Sequence, residues 1–364
     1  MKHWWLLWIM AGLSVRAFGQ TAESAGLPFT LTWMEGKCVG CKIAADLGEI
    51  QFISRKEAWG IGYQFPPQGA ADYIMVHTTD AGRTWNELPK SWQHAGPPVF
   101  TFLDSAHGWF SCWNLYCGGV VGSKLFRTTD GGKHWRLVSA QGVMAMVFAD
   151  ENHGIGKAFG IDDSGGMIRS ADGGRTWSKV EIPHLRAIGD MIFLPDQIVW
   201  ITDHAGDDLL FFRTIDAGHS WEEFRTTLPH EWADVREISF LDRNHGWLVL
   251  KHKDDDQIRV LATVDGGRTW SPVNTPSLRT GHWWASVVEF VSDKVGFLFV
   301  SEEDDPQSKG FEGQSVLFTA DGGTHWLRFA LPYSIYSCQI LEGDLLCSAS
   351  SKNSGFGVLT LQPK

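Results

Sequence analysis

Short apolar runs, alternating with polar positions and broken by turn residues, recur along this chain. That is the pattern of β-strands rather than helices. The clearest are Phe100-Thr-Phe-Leu-Asp104 with His107-Gly-Trp109 after it, and Ile238-Ser-Phe-Leu-Asp242 with His245-Gly-Trp247. Weaker copies begin at Ile50, Val147, Ile192 and Phe290. Each predicts an inner strand A, a turn, and a second strand B marked by Gly or Trp. A more regular phrase follows each pair, Ser/Thr-x-Asp-x-Gly-x-x-Trp, with its aspartate at Asp80, Asp130, Asp172, Asp216, Asp265 and Asp321. Glycine supplies the positive φ of a tight turn, and the Asp and Ser/Thr oxygens can hold the turn's N–H groups. The phrase therefore joins a strand C to a strand D that starts at its Trp, whose indole N–H seeks an acceptor.

Successive aspartates lie 50, 42, 44, 49 and 56 residues apart, a period that suits propeller blades. A carboxylate repeated once per blade is a structural device rather than one catalytic group. A seventh unit lacks the phrase. Cys338-Gln-Ile-Leu341, Leu345-Leu-Cys-Ser348 and Gly357-Val-Leu-Thr-Leu361 read as strands A, B and C, and Phe29-Thr-Leu-Thr-Trp33 is the strand left to complete them. The predicted fold is an all-β, seven-bladed propeller over residues 28–364, its ring closed by the N-terminal strand.

Composition adds a compartment. Residues 1–19 carry Lys2 and His3, an apolar run from Trp4 to Leu13, and small residues at Ala17-Phe-Gly19. This predicts a cleaved export signal, with 20–27 as a linker and no transmembrane segment afterwards. The mature chain then has 29 basic against 42 acidic residues, a sign that disfavours nucleic acid. A secreted or periplasmic location makes disulfides reasonable, and the six cysteines fall into three local couples. Cys338 and Cys347 are symmetric about Glu342-Gly343, which would set them opposite each other on a hairpin. Cys112 and Cys117 close the B–C loop of blade 2. Cys38 and Cys41 form a Cys-x-x-Cys that suits a structural disulfide, redox chemistry or a metal. No cofactor is implied.

The face opposite the Asp turns carries the D–A and B–C connections and is where function is expected. The B–C loops are acidic, with Asp162-Asp163, Asp203 and Asp207-Asp208, Asp254-Asp255-Asp256 and Glu302-Glu303-Asp304-Asp305. Such an arc is either solvated charge or a place for a basic partner or calcium. The D–A segments bring Trp92, His94, His184, Arg186, His230, Trp232, Arg236, Arg279, His282, Trp283, Trp284, Tyr333 and Tyr336. Arg186, Arg236 and Arg279 precede the A strands of blades 4, 5 and 6. They are either a converging carboxylate site or three unrelated arginines.

The six Asp boxes resemble those of the bacterial neuraminidase repeat superfamily. With the F-x-D…G-W strand pair and the period, the chain looks most like the photosystem II stability/assembly factor propellers over about residues 28–362. That resemblance implies an exported, non-enzymatic propeller that holds a protein partner, such as a membrane-protein precursor, on an arginine-bearing face. Arg186, Arg236 and Arg279 are the matching positions, with the neighbouring aromatic and His residues beside them. A glycan is the alternative ligand, and a sialidase-like hydrolase the enzymatic one. The Phe-Arg-Ile-Pro signature of sialidases is absent, residues 27–31 being Leu-Pro-Phe-Thr-Leu, and Tyr333 or Tyr336 would have to serve as nucleophile. Xyloglucan-cleaving hydrolases use two propellers, and this chain has length for one.

Overall fold

The computed structural model describes residues 21–22, 27–40, 47–64, 72–89, 99–112, 123–158, 166–194, 198–205, 208–232, 234–254, 257–275, 287–300, 314–351 and 355–364. Their strands form seven sheets in chain order, one per blade, each blade's own four strands pairing antiparallel. Blade 1 runs Leu47–Phe52, Ala58–Gln64, Asp72–Thr78 and Thr84–Glu87 as strands A to D. The A strands of blades 2 to 6 are Val99–Phe102, Val143–Phe148, Met191–Leu194, Asp234–Phe240 and Val287–Phe290. In blade 7, Tyr333–Leu341, Asp344–Ser351 and Gly355–Pro363 are A, B and C, and Phe29–Glu35 pairs with C as its strand D. The ring closes as the sequence predicts. Two short pieces extend it outward: Thr21–Ala22 beside blade 7, and Lys37–Val39, which pairs parallel to strand D of blade 1.

Seven apolar clusters fill the seams between neighbouring blades. Both sequence phrases serve them. The strand B tryptophan of one blade lies flat on the strand A phenylalanine of the next: Trp59 on Phe102, Trp109 on Phe148, Trp200 on Phe240 and Trp247 on Phe290, with centroids 3.7–4.1 Å apart. This shared stacking is why F-x-D and G-W travel together in the sequence.

The blade 7 hairpin turns at Glu342 and Gly343, both with positive φ (52° and 82°), the geometry a two-residue turn needs. It sets Cys338 directly across from Cys347, their Cα atoms 4.1 Å apart, and the two are disulfide-bonded. Cys38 and Cys112 each take part in a disulfide as well. Cys41 and Cys117 lie outside the described residues, as do the proposed signal and Arg279, His282, Trp283 and Trp284.

The inner strands leave one edge facing the central channel, and its backbone groups need partners. Gln51 of blade 1 meets this need by donating to the Phe102 carbonyl and accepting from its N–H, at 2.9 and 2.7 Å. Gln339 of blade 7 does the same for Phe52. Strand A of blades 1, 3, 5 and 7 also carries a bulge near its start, at Gly48-Glu49, Met144, Arg236 and Tyr336.

Candidate functional site: one rim, the opposite loops and the channel

The six Asp boxes are built alike. In the first, Thr78 Oγ1 donates to Asp80 and accepts from the Gly82 N–H, while Asp80 accepts from both the N–H and the hydroxyl of Thr84, at 2.8 and 2.7 Å. Gly82 has a φ of 90°, and a Cβ there would meet Val358 at 2.5 Å. The residue before each Trp therefore belongs to the motif. It is Thr84, His134, Thr176, Ser220, Thr269 or His325, always a side chain that donates to the box carboxylate. The sequence holds that signal, in the position where every copy has Thr, Ser or His.

Burial pushes most of these carboxyls up, but the hydrogen bonds together outweigh it and hold all six below the usual range. Asp130 falls to about 2. Their oxygens are occupied by the turn, as expected of a structural motif. Two expectations need correction. Strand D starts after the box Trp in blades 2 to 6, and only Trp85 lies within it. The indole N–H of Trp85 and Trp177 reaches the carbonyl of its own box glycine, whereas Trp135, Trp221, Trp270 and Trp326 have no partner among the described residues.

On the opposite face, the connection between blades 3 and 4 is described in full. Asp203 lies in strand B of blade 4, Ile198–Ala205, and is 2% exposed. Its carboxylate accepts from the Arg186 backbone N–H at 2.9 Å, and the Arg186 side chain, 60% exposed, brings Nε to 3.6 Å. The sequence reading placed Asp203 in an acidic loop; it is instead an internal post that fixes Arg186. Asp208 likewise starts strand C and bonds to Thr227. His184, with φ 64°, is held by Glu223 of strand D at 2.7 Å. Leu185 to Ile188 and Val180 to Ile182 border a cavity of about 170 Å³ beside Arg186.

Blade 5 departs further from expectation. Arg236 is not ahead of strand A but within it, exposed on the bulge between Val235 and Glu237. His230 opens a short 3-10 turn, His230–Trp232, and is exposed. Trp232 turns inward instead: it is 8% exposed, with the Arg259 guanidinium 4.1 Å over its ring and His252 edge-on. An aromatic in a polar loop reads as a surface group, but the neighbouring apolar seam draws the ring in. Tyr333 and Tyr336 belong to strand A of blade 7, not to a loop.

The channel holds groups the sequence reading missed. Glu49, Glu237 and Glu289 lie on inner strands, Glu49 exposed at its bulge and the other two half-buried. Burial pushes Glu49 and Glu289 up to about 7, the Ser239 hydroxyl bond opposing it at Glu289. Burial, then the charges of Glu289 and Asp190, pushes Glu237 up to about 8. Glu289 occupies the register of Gln51 and Gln339, one residue before the seam-packing position. The signal is a charged residue in an apolar inner strand. Among the described residues, no cluster of His, Cys, Asp and Glu could hold a metal, and no helix is long and apolar enough to cross a membrane.

The family model Sortilin-Vps10 (Sortilin, neurotensin receptor 3) matches residues 165–317. The photosystem II assembly protein Ycf48 of Thermosynechococcus vestitus is 26% identical over 147 residues, covering 40% of this chain and 40% of that protein. The chloroplastic photosystem II stability/assembly factor HCF136 of Oryza sativa subsp. japonica is 23% identical over 278 residues, covering 67% of this chain and 62% of that one. The matches thus span less than two thirds of these relatives. A solved structure described as YCF48 bound to D1 peptide superposes with a TM-score of 0.60 at 15% identity, over 93% of this chain and 97% of that one.

Proposed function

As a Sortilin-Vps10/BNR-type β-propeller distantly related to the Ycf48 and HCF136 assembly factors, this chain is, we propose, an exported, non-enzymatic protein that holds a polypeptide partner on its D–A/B–C face. The observation that carries the reading is the peptide-bound state of the propeller it superposes on. The chemistry of the two faces supports it. Box carboxylates and hydroxyls are bound to their own turns, whereas Arg186 and Arg236 stand exposed on the other side. Arg186 is also pre-positioned, since Asp203 fixes its backbone before any partner arrives. An acidic or carboxylate-bearing segment of a membrane-protein precursor is the matching partner class. The location proposed is the periplasm or the extracellular space.

The test is simultaneous charge reversal of Arg186, Arg236 and Arg279 to Glu, followed by thermal melting and pull-down from the source membranes. Melting is expected to be unchanged and the captured partner lost. An unaltered capture profile would refute the face assignment. A fluorogenic sialoside panel is expected to show no turnover, and turnover abolished by Arg236→Ala would overturn the non-enzymatic reading.

A further inference from the structure

The repeats allow each blade to serve as a control for the others, and blade 3 stands apart. The residue just before the box hydroxyl is His77, Arg127, Arg169 or Arg213 in blades 1 to 4. Three of these lie on the strand B tryptophan of their own blade and meet an acid. His77 stacks on Trp59 at 4.5 Å and reaches Glu57 at 3.0 Å. Arg127 lies 5.1 Å over Trp109 and reaches Glu151 at 2.8 Å. Arg213 lies 5.1 Å over Trp200 and pairs with Glu222.

Blade 3 has Ile155 in place of the tryptophan. Arg169 pairs with no carboxylate among the described residues, and its one hydrogen bond goes to His219 Nδ1 in the next box, at 2.7 Å. Box 4 differs in step. Gly173 and Gly266 accept the close approach of Arg127 and Arg213; a Cβ on Gly173 would come within 2.5 Å of the Arg127 guanidinium, and one on Gly266 closer still to that of Arg213. Ala217, at φ 54°, carries that Cβ and denies Arg169 the equivalent place. A cleft of about 320 Å³ opens between boxes 3 and 4, lined by Arg169, Thr176, Ser178, His153, Ala217 and His219. Asp172 also borders it, but its oxygens already hold Ser170 and Thr176.

We propose that this cleft between blades 3 and 4 is a binding site for a single carboxylate group, clamped by the Arg169 guanidinium. Arg169 can only donate in this contact, so His219 accepts through Nδ1 and brings no carboxylate to offset the guanidinium charge. The remaining guanidinium N–H groups have no protein acceptor among the described residues, and their planar fork matches a carboxylate. A guanidinium in a half-enclosed cleft is costly unless an anion or water completes its bonds. The chain as a whole carries a net charge of −11, so a polyanion is repelled and one isolated carboxylate is the fitting ligand. The site lies on the Asp-box rim and is independent of the function proposed for the other face.

The test follows the His219 imidazole and Arg169 side-chain NMR signals during titration with acetate and with N-acetyl-glutamate amide. Saturable shifts are expected, weakened at least tenfold in Arg169→Gln at His219 and unchanged in Arg127→Gln. The double variant Ile155→Trp/Ala217→Gly restores the tryptophan and the glycine on which Arg127 rests in blade 2, draws Arg169 onto them, and is expected to abolish the shifts. Tighter binding of the glutamate derivative identifies a peptide side chain as ligand, and equal binding a free acid. Absence of saturation, or a shift that survives in Arg169→Gln with an unchanged melting temperature, overturns the site.

Discussion

The Asp-box rim and the channel are built from the same repeat yet differ in kind. On the rim, six turns place nearly the same atoms at the same distances, down to the donor before each Trp. Along the channel, the position one residue before the seam-packing residue changes from Gln51 to Thr101, Val147, Ile192, Ser239, Glu289 and Gln339. The rim repeats because every blade needs the same turn closed. The inner strands vary because each must meet only its two neighbours and whatever enters the channel. Carboxylates mark the contrast: on the rim they are held below the usual range by hydrogen bonds, and in the channel they are pushed above it by burial.

The hardest way to break the rim is to remove the ring that covers it. Trp85 is fully buried and donates to Gly82, so Trp85→Ala is expected to cost about 3–5 kcal/mol in urea unfolding. The same change at the half-buried Trp177 should cost less. A comparable loss at the two sites would show that the boxes are not graded by burial. Next in size is Asp80→Ala, which strips the donors of Thr78 and Thr84 of their acceptor, for about 1–3 kcal/mol at neutral pH. A carboxyl lowered on folding stabilises above its unfolded range and loses that contribution as acid titrates it. The gap between wild type and variant should therefore narrow as pH falls below the ordinary carboxylate range.

The channel should respond in the opposite sense. Glu237 is raised on folding, so its contribution is fully present below the unfolded pKa and lost as pH climbs through about 8. Glu237→Gln keeps the shape of the protonated acid and removes the charge. It is expected to match wild type at pH 5 and exceed it by about 1–2 kcal/mol at pH 8.5, less than the full shift because channel water screens the group. Urea midpoints at the two pH values decide. A variant equally stable at both would mean that Glu237 is freely solvated.

Much of this contrast was legible in the chain because repetition makes turn chemistry visible. The six boxes, the strand pairs, the completion of blade 7 by Phe29–Glu35 and the Cys338–Cys347 hairpin all rest on local spacing, and local spacing survives folding. What escaped depends on the packing of neighbours distant in sequence. Trp232 lies in a polar stretch, yet it finds the blade 5 seam. Asp203 sits among acidic residues, yet one strand position carries it inward to the Arg186 backbone. Arg236 moved into strand A because a bulge adds a residue that no periodicity announces. The channel carboxyls were hidden for the same reason, since alternation along one strand cannot tell a neighbouring blade from an open axis.

The finest probe of the inner ring is Gln51→Ala. Gln51 satisfies both backbone groups of Phe102 across the seam between blades 1 and 2, a two-bond clamp that Gln339 repeats between blades 7 and 1. Channel water can take over part of this task, so the loss should be about 0.5–1.5 kcal/mol rather than the full cost of a buried unpaired amide. Hydrogen exchange gives the sharper readout: the Phe102 amide should exchange faster in the variant, while the Phe52 amide, held by Gln339, should not change. Thr101→Ala, at the same register in blade 2 with no side-chain bond to blade 3 among the described residues, is the control and should leave both amides as they were. If Phe102 and Phe52 accelerate together, the inner ring behaves as one cooperative unit. Acceleration of Phe102 alone makes each seam an independent joint, which is what permits its residues to differ from blade to blade.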